Sequence, residues 1–132
     1  MNLISSPVKT TLQEFLDYLV PGDLPAGVSV PLWRRTAGRS TSPGFPVSSP
    51  GVLKPVDALF FGTSTMHADT DGAVRNRQSL FHDLRLIVLD DIGTKIPLDS
   101  LPAAMRDTAS YIIESSPGNF QYGYVFDTPV TD

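Results

Sequence analysis

The sequence predicts a small α+β domain, a mostly antiparallel sheet of about four strands with two or more helices, and three observations predict it. In "TTLQEFLDYLV", Leu12, Phe15, Leu16 and Leu19 recur at helical spacing on one apolar face. "LRLIVLDD" runs continuously apolar until two acids stop it, the pattern of an inner strand. Near the end, "SYIIESS", "PGN" and "FQYGYVFDTPV" read as strand, tight turn and returning strand. A chain of 132 residues that is 41% hydrophobic suits one domain with a core.

The elements follow in order. Residues 1–20 carry the N-terminal helix. Thr11 followed by Glu14 makes a capping box at its start, and Pro21-Gly22 ends it. Residues 21–55 then hold seven prolines and five glycines, a composition that argues against regular helix or sheet. This segment is also basic: Arg34, Arg35, Arg39 and Lys54 against Asp23 give +3, which leaves −7 elsewhere in a chain of net charge −4. A basic arm beside an acidic surface and an ordinary solvated loop both fit that distribution. Trp33, next to Arg34 and Arg35, suits either stacking on a base or anchoring the loop to the core.

Residues 56–132 form the α+β core. "VDALFFGTS" reads as a strand and "MHADTDGAVRNRQ" as a polar loop. Asp69-Thr70-Asp71-Gly72 is similar to the opening of a calcium loop, but the closing Glu is missing, so a turn is expected. "LDSLPAAMRDTA" predicts a short helix with Ser100 as N-cap and Pro102 in its first turn. The chain ends on "VFDTPVTD", which suggests part of a longer protein.

Composition narrows the chemistry. With no cysteine there is no disulfide framework and no thiolate metal site, which fits a reducing cytoplasm. Two histidines, His67 and His82, make a zinc site improbable, and a bound metal would be a hard ion such as Mg²⁺ or Mn²⁺. No apolar run approaches the roughly 18 residues of a membrane span.

Two stretches carry the candidate chemistry. In "LRLIVLDDIGTK", Asp90 and Asp91 end the strand. Strand side chains alternate faces, so the two carboxylates converge only if the chain twists or bulges there, and Gly93 supplies freedom for a sharp exit. A pair of solvated acids at a strand end is the plainer reading. In "YIIESSPGNFQYGYVF", Ser115, Ser116, Gly118 and Asn119 place hydroxyls and N–H groups at a hairpin tip that can cradle a phosphate. Turn chemistry alone accounts for Pro117, Gly118 and Asn119, though not for Gln121 just beyond.

Together these stretches resemble the RepB-like branch of the archaeo-eukaryotic primase superfamily, the primases of plasmid and phage replication. The resemblance is firmest over residues 56–130. It implies an RRM-like half of a primase-polymerase catalytic domain, in which Asp90 and Asp91 bind Mg²⁺ or Mn²⁺ and are catalytic. Ser116, Gly118, Asn119 and Gln121 would contact the incoming nucleotide or the template, and Lys95, Arg75 and Arg77 are phosphate partners guessed from charge. The implied reaction is nucleotidyl transfer on a single-stranded DNA template from nucleoside triphosphates, with two ions about 3.5–4 Å apart. A replication helicase domain or partner would accompany it. The commoner first motif of the superfamily spaces its acids as Asp-x-Asp, whereas here they are adjacent. A third acid is also required, for which Asp127 is the nearest candidate, unless it lies past residue 132. Two other classes stay open: a non-catalytic module that binds single-stranded nucleic acid on Phe120, Tyr122, Tyr124 and Trp33, and a phage structural or interaction domain whose acids are simply solvated.

Overall fold

A computed structural model of the chain describes residues 10–22, 24–36, 39–41 and 58–131. Its elements are α1 (Leu12–Leu19), β1 (Val28–Ser29), β2 (Leu32–Thr36), β3 (Arg39–Thr41), β4 (Ala58–Phe61), β5 (Ser64–His67), β6 (Phe81–Ile92), α2 (Ala103–Thr108), β7 (Tyr111–Ser116) and β8 (Asn119–Val130). Five strands share one sheet in the order β1-β5-β6-β8-β7, and β3-β2-β4 make a second. The pairs β1/β5, β5/β6 and β7/β8 are antiparallel. The fold is therefore α+β as expected, with β6 central, but with more strands than the expected four.

The extra strands correct the reading of residues 21–55. β1, β2 and β3 all lie in that segment, where no regular structure was expected. The reason is local. Prolines remove ladder donors only where they stand, and Pro25 precedes β1 while Pro31 falls between β1 and β2, neither inside a strand. Averaging composition over the whole segment hides the proline-free runs. The rest of this segment, residues 42–55 with Lys54, lies outside the described residues, as do the side chains of Trp33, Arg34, Arg35 and Arg39.

The chain divides into two compact units. The first takes residues 10–85 and 128–131 of those described. Its helix α1 starts with the predicted capping box: the Thr11 N–H donates to Glu14 Oε2 at 2.7 Å, and the Glu14 N–H donates to Thr11 Oγ1 at 3.1 Å. These bonds satisfy donors that a helix start otherwise leaves open. The apolar face delivers Leu16, Leu19 and Val20 to the interior, where Val28, Val30, Leu32, Met66 and Val74 are also buried. Phe15 meets Phe61 edge to face at 5.4 Å. The Asp69–Gly72 stretch is a turn, closed by the Gly72 N–H on the Asp69 carbonyl.

The second unit takes residues 86–127 of those described. Ile92, Leu101 and Tyr122 form its core, packed by Leu89, Leu98, Ala109, Ile112, Phe120 and Tyr124. The Tyr124 hydroxyl donates to the Met105 carbonyl at 2.9 Å, which ties α2 to β8. The start of α2 differs from expectation. Pro102 caps it, while Ser100 belongs to a preceding 3₁₀ turn and donates to the Pro97 carbonyl at 2.6 Å. Leu101 precedes a proline and is pushed to extended geometry, so a helix begun at Ser100 cannot run through it.

Tyr111 and Gly123 are direct cross-strand partners. A Cβ on Gly123 would stand 1.9 Å from the Tyr111 ring, so the ring lies across the glycine. Gly123→Ala is expected to lower stability by about 1–3 kcal/mol by urea unfolding, the usual penalty of overpacking. A loss below about 0.5 kcal/mol, the range of an ordinary surface change, would mean the ring moves aside freely. Among the described residues no helix is long and apolar enough to cross a membrane.

Candidate functional site

The site is built where β6 ends. Ile92 is fully buried, which pins the strand to the core immediately before the turn. Asp91, one residue earlier, has φ +61°, a left-handed conformation rare for a residue with a side chain. The twist that would let adjacent acids leave their alternating faces is thus at Asp91 itself. The chain then folds back on itself. The Ile96 N–H donates to the Asp91 carbonyl at 3.0 Å, and the Gly93 N–H donates to the Ile96 carbonyl at 2.7 Å. Gly93, at φ +90°, is the residue that makes this possible.

Both acids are reachable from solvent. Asp90 is exposed and accepts the Asp91 N–H on Oδ1 at 2.9 Å. The Asp91 carboxylate holds the Lys95 ammonium at 2.6 Å. Lys95, with help from the Asn119 side chain, holds the Asp91 carboxyl below its ordinary range. The same contact raises Lys95, and Asp90 adds to the attraction. One ammonium therefore lies in the field of both carboxylates.

The hairpin tip between β7 and β8 meets this turn. A Cβ on Gly93 would fall 2.5 Å from the Gly118 carbonyl oxygen and 3.4 Å from the Phe120 ring, so the two backbones touch there. The Thr94 hydroxyl donates to Asn119 Oδ1. Asn119 Nδ2 donates to Ser115 Oγ at 3.0 Å, and Ser115 donates onward to the Asn119 carbonyl at 3.2 Å. The Gly118 N–H donates to Glu114 Oε1 at 2.9 Å. Ser116, exposed, pairs with Asn119 across the tip. Gln121, half-buried opposite Ile113, follows Asn119 by two residues and so shares its face of β8.

Asp90, Asp91, Lys95, Gly118, Asn119 and Ser116 thus come from two turns that lie side by side, with Gln121 next along the strand. Other candidates fall elsewhere. Asp127 is eight residues past Asn119 on β8, about 26 Å along an extended strand, which removes it as a third acid beside Asp91. Among the described residues no group of three or more acids or histidines can hold a metal ion. Arg75 and Arg77 belong to the other unit and are taken by its loop acids. Arg75 bonds Asp71 at 2.6 Å and Asp69 at 3.0 Å, and Arg77 bonds Asp69 at 3.0 Å. Tyr122 is buried at 1% exposed, while Phe120 and Tyr124 are half-buried and pack against the core that Tyr122 shares with Ile92 and Leu101. His82 lies 3.7 Å from Asp83 and packs edge to face on His67 at 5.0 Å.

Thr94 and Glu114 were missed at the sequence level. Thr94 stands inside the quoted motif but carries no catalytic pattern. Glu114 was read only as a strand residue, although its place four residues before Gly118 is within reach of a turn N–H. Comparison with protein-family models, with curated proteins and with solved structures finds no match.

Proposed function

We propose that this chain is part of a metal-dependent nucleotidyltransferase of the primase-polymerase kind, acting on single-stranded DNA with nucleoside triphosphates in plasmid or phage replication. The observation that carries the reading is the meeting of two motifs about 25 residues apart, through Thr94 on Asn119 and Gly93 against Gly118. The neighbouring of β6 and β8 in the sheet sets the two turns beside each other, and the residue types found there, two acids facing a Ser-Pro-Gly-Asn tip, support the reading.

The donor set suits a hard ion. Asp90 and Asp91 offer carboxylate oxygens at an exposed turn, and Asp91 already holds a cation in the form of Lys95. Mg²⁺ is commonly held by one or two carboxylates, with water and substrate phosphate filling the remaining positions. Bound there, such ions would supply activation of a 3′-hydroxyl and neutralisation of the triphosphate. The residues of the chain do the positioning. The left-handed Asp91 and the Gly93 turn fix the carboxylates. Thr94 and Ser115 fix the Asn119 amide, and Gln121 continues the polar row along β8 towards a base or sugar.

A titration of the full chain with Mn²⁺, followed by electron paramagnetic resonance with ATP present, tests this. Asp90→Asn and Asp91→Asn are each expected to weaken Mn²⁺ binding about tenfold or more, with an unchanged circular dichroism spectrum. Wild-type affinity in both variants would overturn the proposal.

A further inference from the structure

The two histidines of the chain, His67 and His82, stand far apart in sequence. Their rings meet where β5 pairs with β6, with centres 5.0 Å apart and planes at 86°. A β-bulge brings them there. Met66 pairs with Phe81 and Thr65 with Asp83, so His82 is the extra residue, left without a direct partner on β5. Bulges of this kind re-aim a side chain. We propose that the two imidazoles form an open binding site for a divalent transition-metal ion, Zn²⁺ first among them. The pair belongs to the first unit, whereas Asp90 and Asp91 belong to the second, so the proposal is independent of the functional reading above.

The spacing suits one shared ion. A zinc–nitrogen bond of about 2 Å sets a ring centre about 3 Å from the metal, and two such rings at a tetrahedral angle have centres about 5 Å apart. Imidazole lone pairs lie in the ring plane. Parallel stacked rings therefore aim theirs past each other, while planes at 86° intersect and let both aim at one point. His67 is exposed and the His82 side chain is 28% exposed, so an ion with its waters can reach the pair. Behind His82, Asp83 Oδ2 stands 3.7 Å from Nε2, which leaves Nδ1 for the ion. A carboxylate in that place orients a metal-bound histidine and raises its basicity. Thr65 and Arg85 in turn fix the Asp83 carboxylate.

Donor type chooses the ion. Imidazole suits zinc, copper and nickel, whereas carboxylate, carbonyl and water suit magnesium and calcium. Two histidines cannot close a four-ligand structural site, and among the described residues no third histidine or acid joins them. The remaining positions therefore fall to water, which makes the site open and exchangeable. An ion that bridges β5 and β6 binds the folded chain in preference to the unfolded one, so its binding stabilises the fold.

The experiment uses the full chain and Zn²⁺ alone, followed by titration calorimetry and thermal unfolding. Zn²⁺ is expected to bind at this site and to raise the unfolding temperature. His67→Phe keeps a ring at the contact and removes one ligand, and His82→Gln removes the other. Each is expected to weaken Zn²⁺ binding at least about tenfold, since even the partner behind a metal ligand costs about that much. Circular dichroism of both variants should match wild type. Excess Mg²⁺ is expected to leave the Zn²⁺ in place. Wild-type Zn²⁺ affinity in either variant overturns the proposal, and so does displacement of Zn²⁺ by Mg²⁺. A wild-type chain that binds no Zn²⁺ overturns it too and reduces the pair to ring packing.

Discussion

Gly93→Ala is expected to destabilise the second unit by about 3 kcal/mol and to part the aspartate turn from the hairpin tip. Two costs combine. Gly93 has φ +90°, where a side chain is strained. Its Cβ would also stand 2.5 Å from the Gly118 carbonyl oxygen, a backbone atom that cannot swing away. Relief requires the two turns to separate, which breaks the bond from Thr94 to Asn119. Gly118→Ala is the matched control, since it has φ +74° but nothing within 4 Å of its Cβ. Urea unfolding should show Gly93→Ala clearly worse than Gly118→Ala. The Asn119 amide shift should move in Gly93→Ala, across the contact, while the Thr94 amide shift should stay in place in Gly118→Ala. Equal losses would mean that the contact between the turns contributes nothing beyond backbone strain. Loss of Mn²⁺ affinity in Gly93→Ala, despite intact acids, would tie that contact to the proposed activity.

The elements that could be read from the sequence are those whose signal is local. The capping box at Thr11 and Glu14 and the strand–turn–strand at residues 111–130 form as read. The long apolar β6 lies at the centre of its sheet. Each has a period or a turn residue that needs no distant partner to act. The misses are contextual. β1 to β3 hide between prolines, and the α2 start is moved by the effect of Pro102 on Leu101. The aromatic residues of β8 show the same limit. Alternation put Tyr122 and Tyr124 on one face, but only packing against Ile92 and Leu101 decides that this face is the core. At the candidate site, the residue types were visible and their meeting was not. Nothing in the spacing of Thr94 and Asn119 says that they touch, and nothing in the string shows that Asp91 takes a positive φ. Nor does the charge of Arg75 and Arg77 by itself show what they pair with. Asp69 and Asp71 lie within eight residues of them and claim them first.

Asp83→Ala is expected to cost the first unit about 3 kcal/mol at neutral pH, comparable to losing one partner of a buried ion pair. Asp83 is 4% exposed on β6 and directly opposite Thr65, which is fully buried. Thr65 donates to Asp83 Oδ1 at 2.5 Å, and Arg85 donates to both carboxylate oxygens at 2.8 Å. Removing the carboxylate leaves a buried hydroxyl and a guanidinium, whose side chain is only 15% exposed, without these acceptors. The pH dependence has a definite sign. Burial pushes the Asp83 carboxyl up, but the bonds from Arg85 and Thr65 outweigh it and hold the group below its ordinary value of 3.8. A carboxyl lowered in the folded state stabilises fully above that ordinary value, and the stabilisation is lost as pH falls through the folded one. The gap between wild type and Asp83→Ala in urea unfolding should therefore be fully present at about pH 5 and narrow below about 4. Thr65→Val removes one donor and leaves the ion pair, so it should cost about 1 kcal/mol and keep the acid dependence. A gap that is small at pH 7, or that fails to narrow below about pH 4, would mean the Thr65, Asp83 and Arg85 network does not hold β5 to β6.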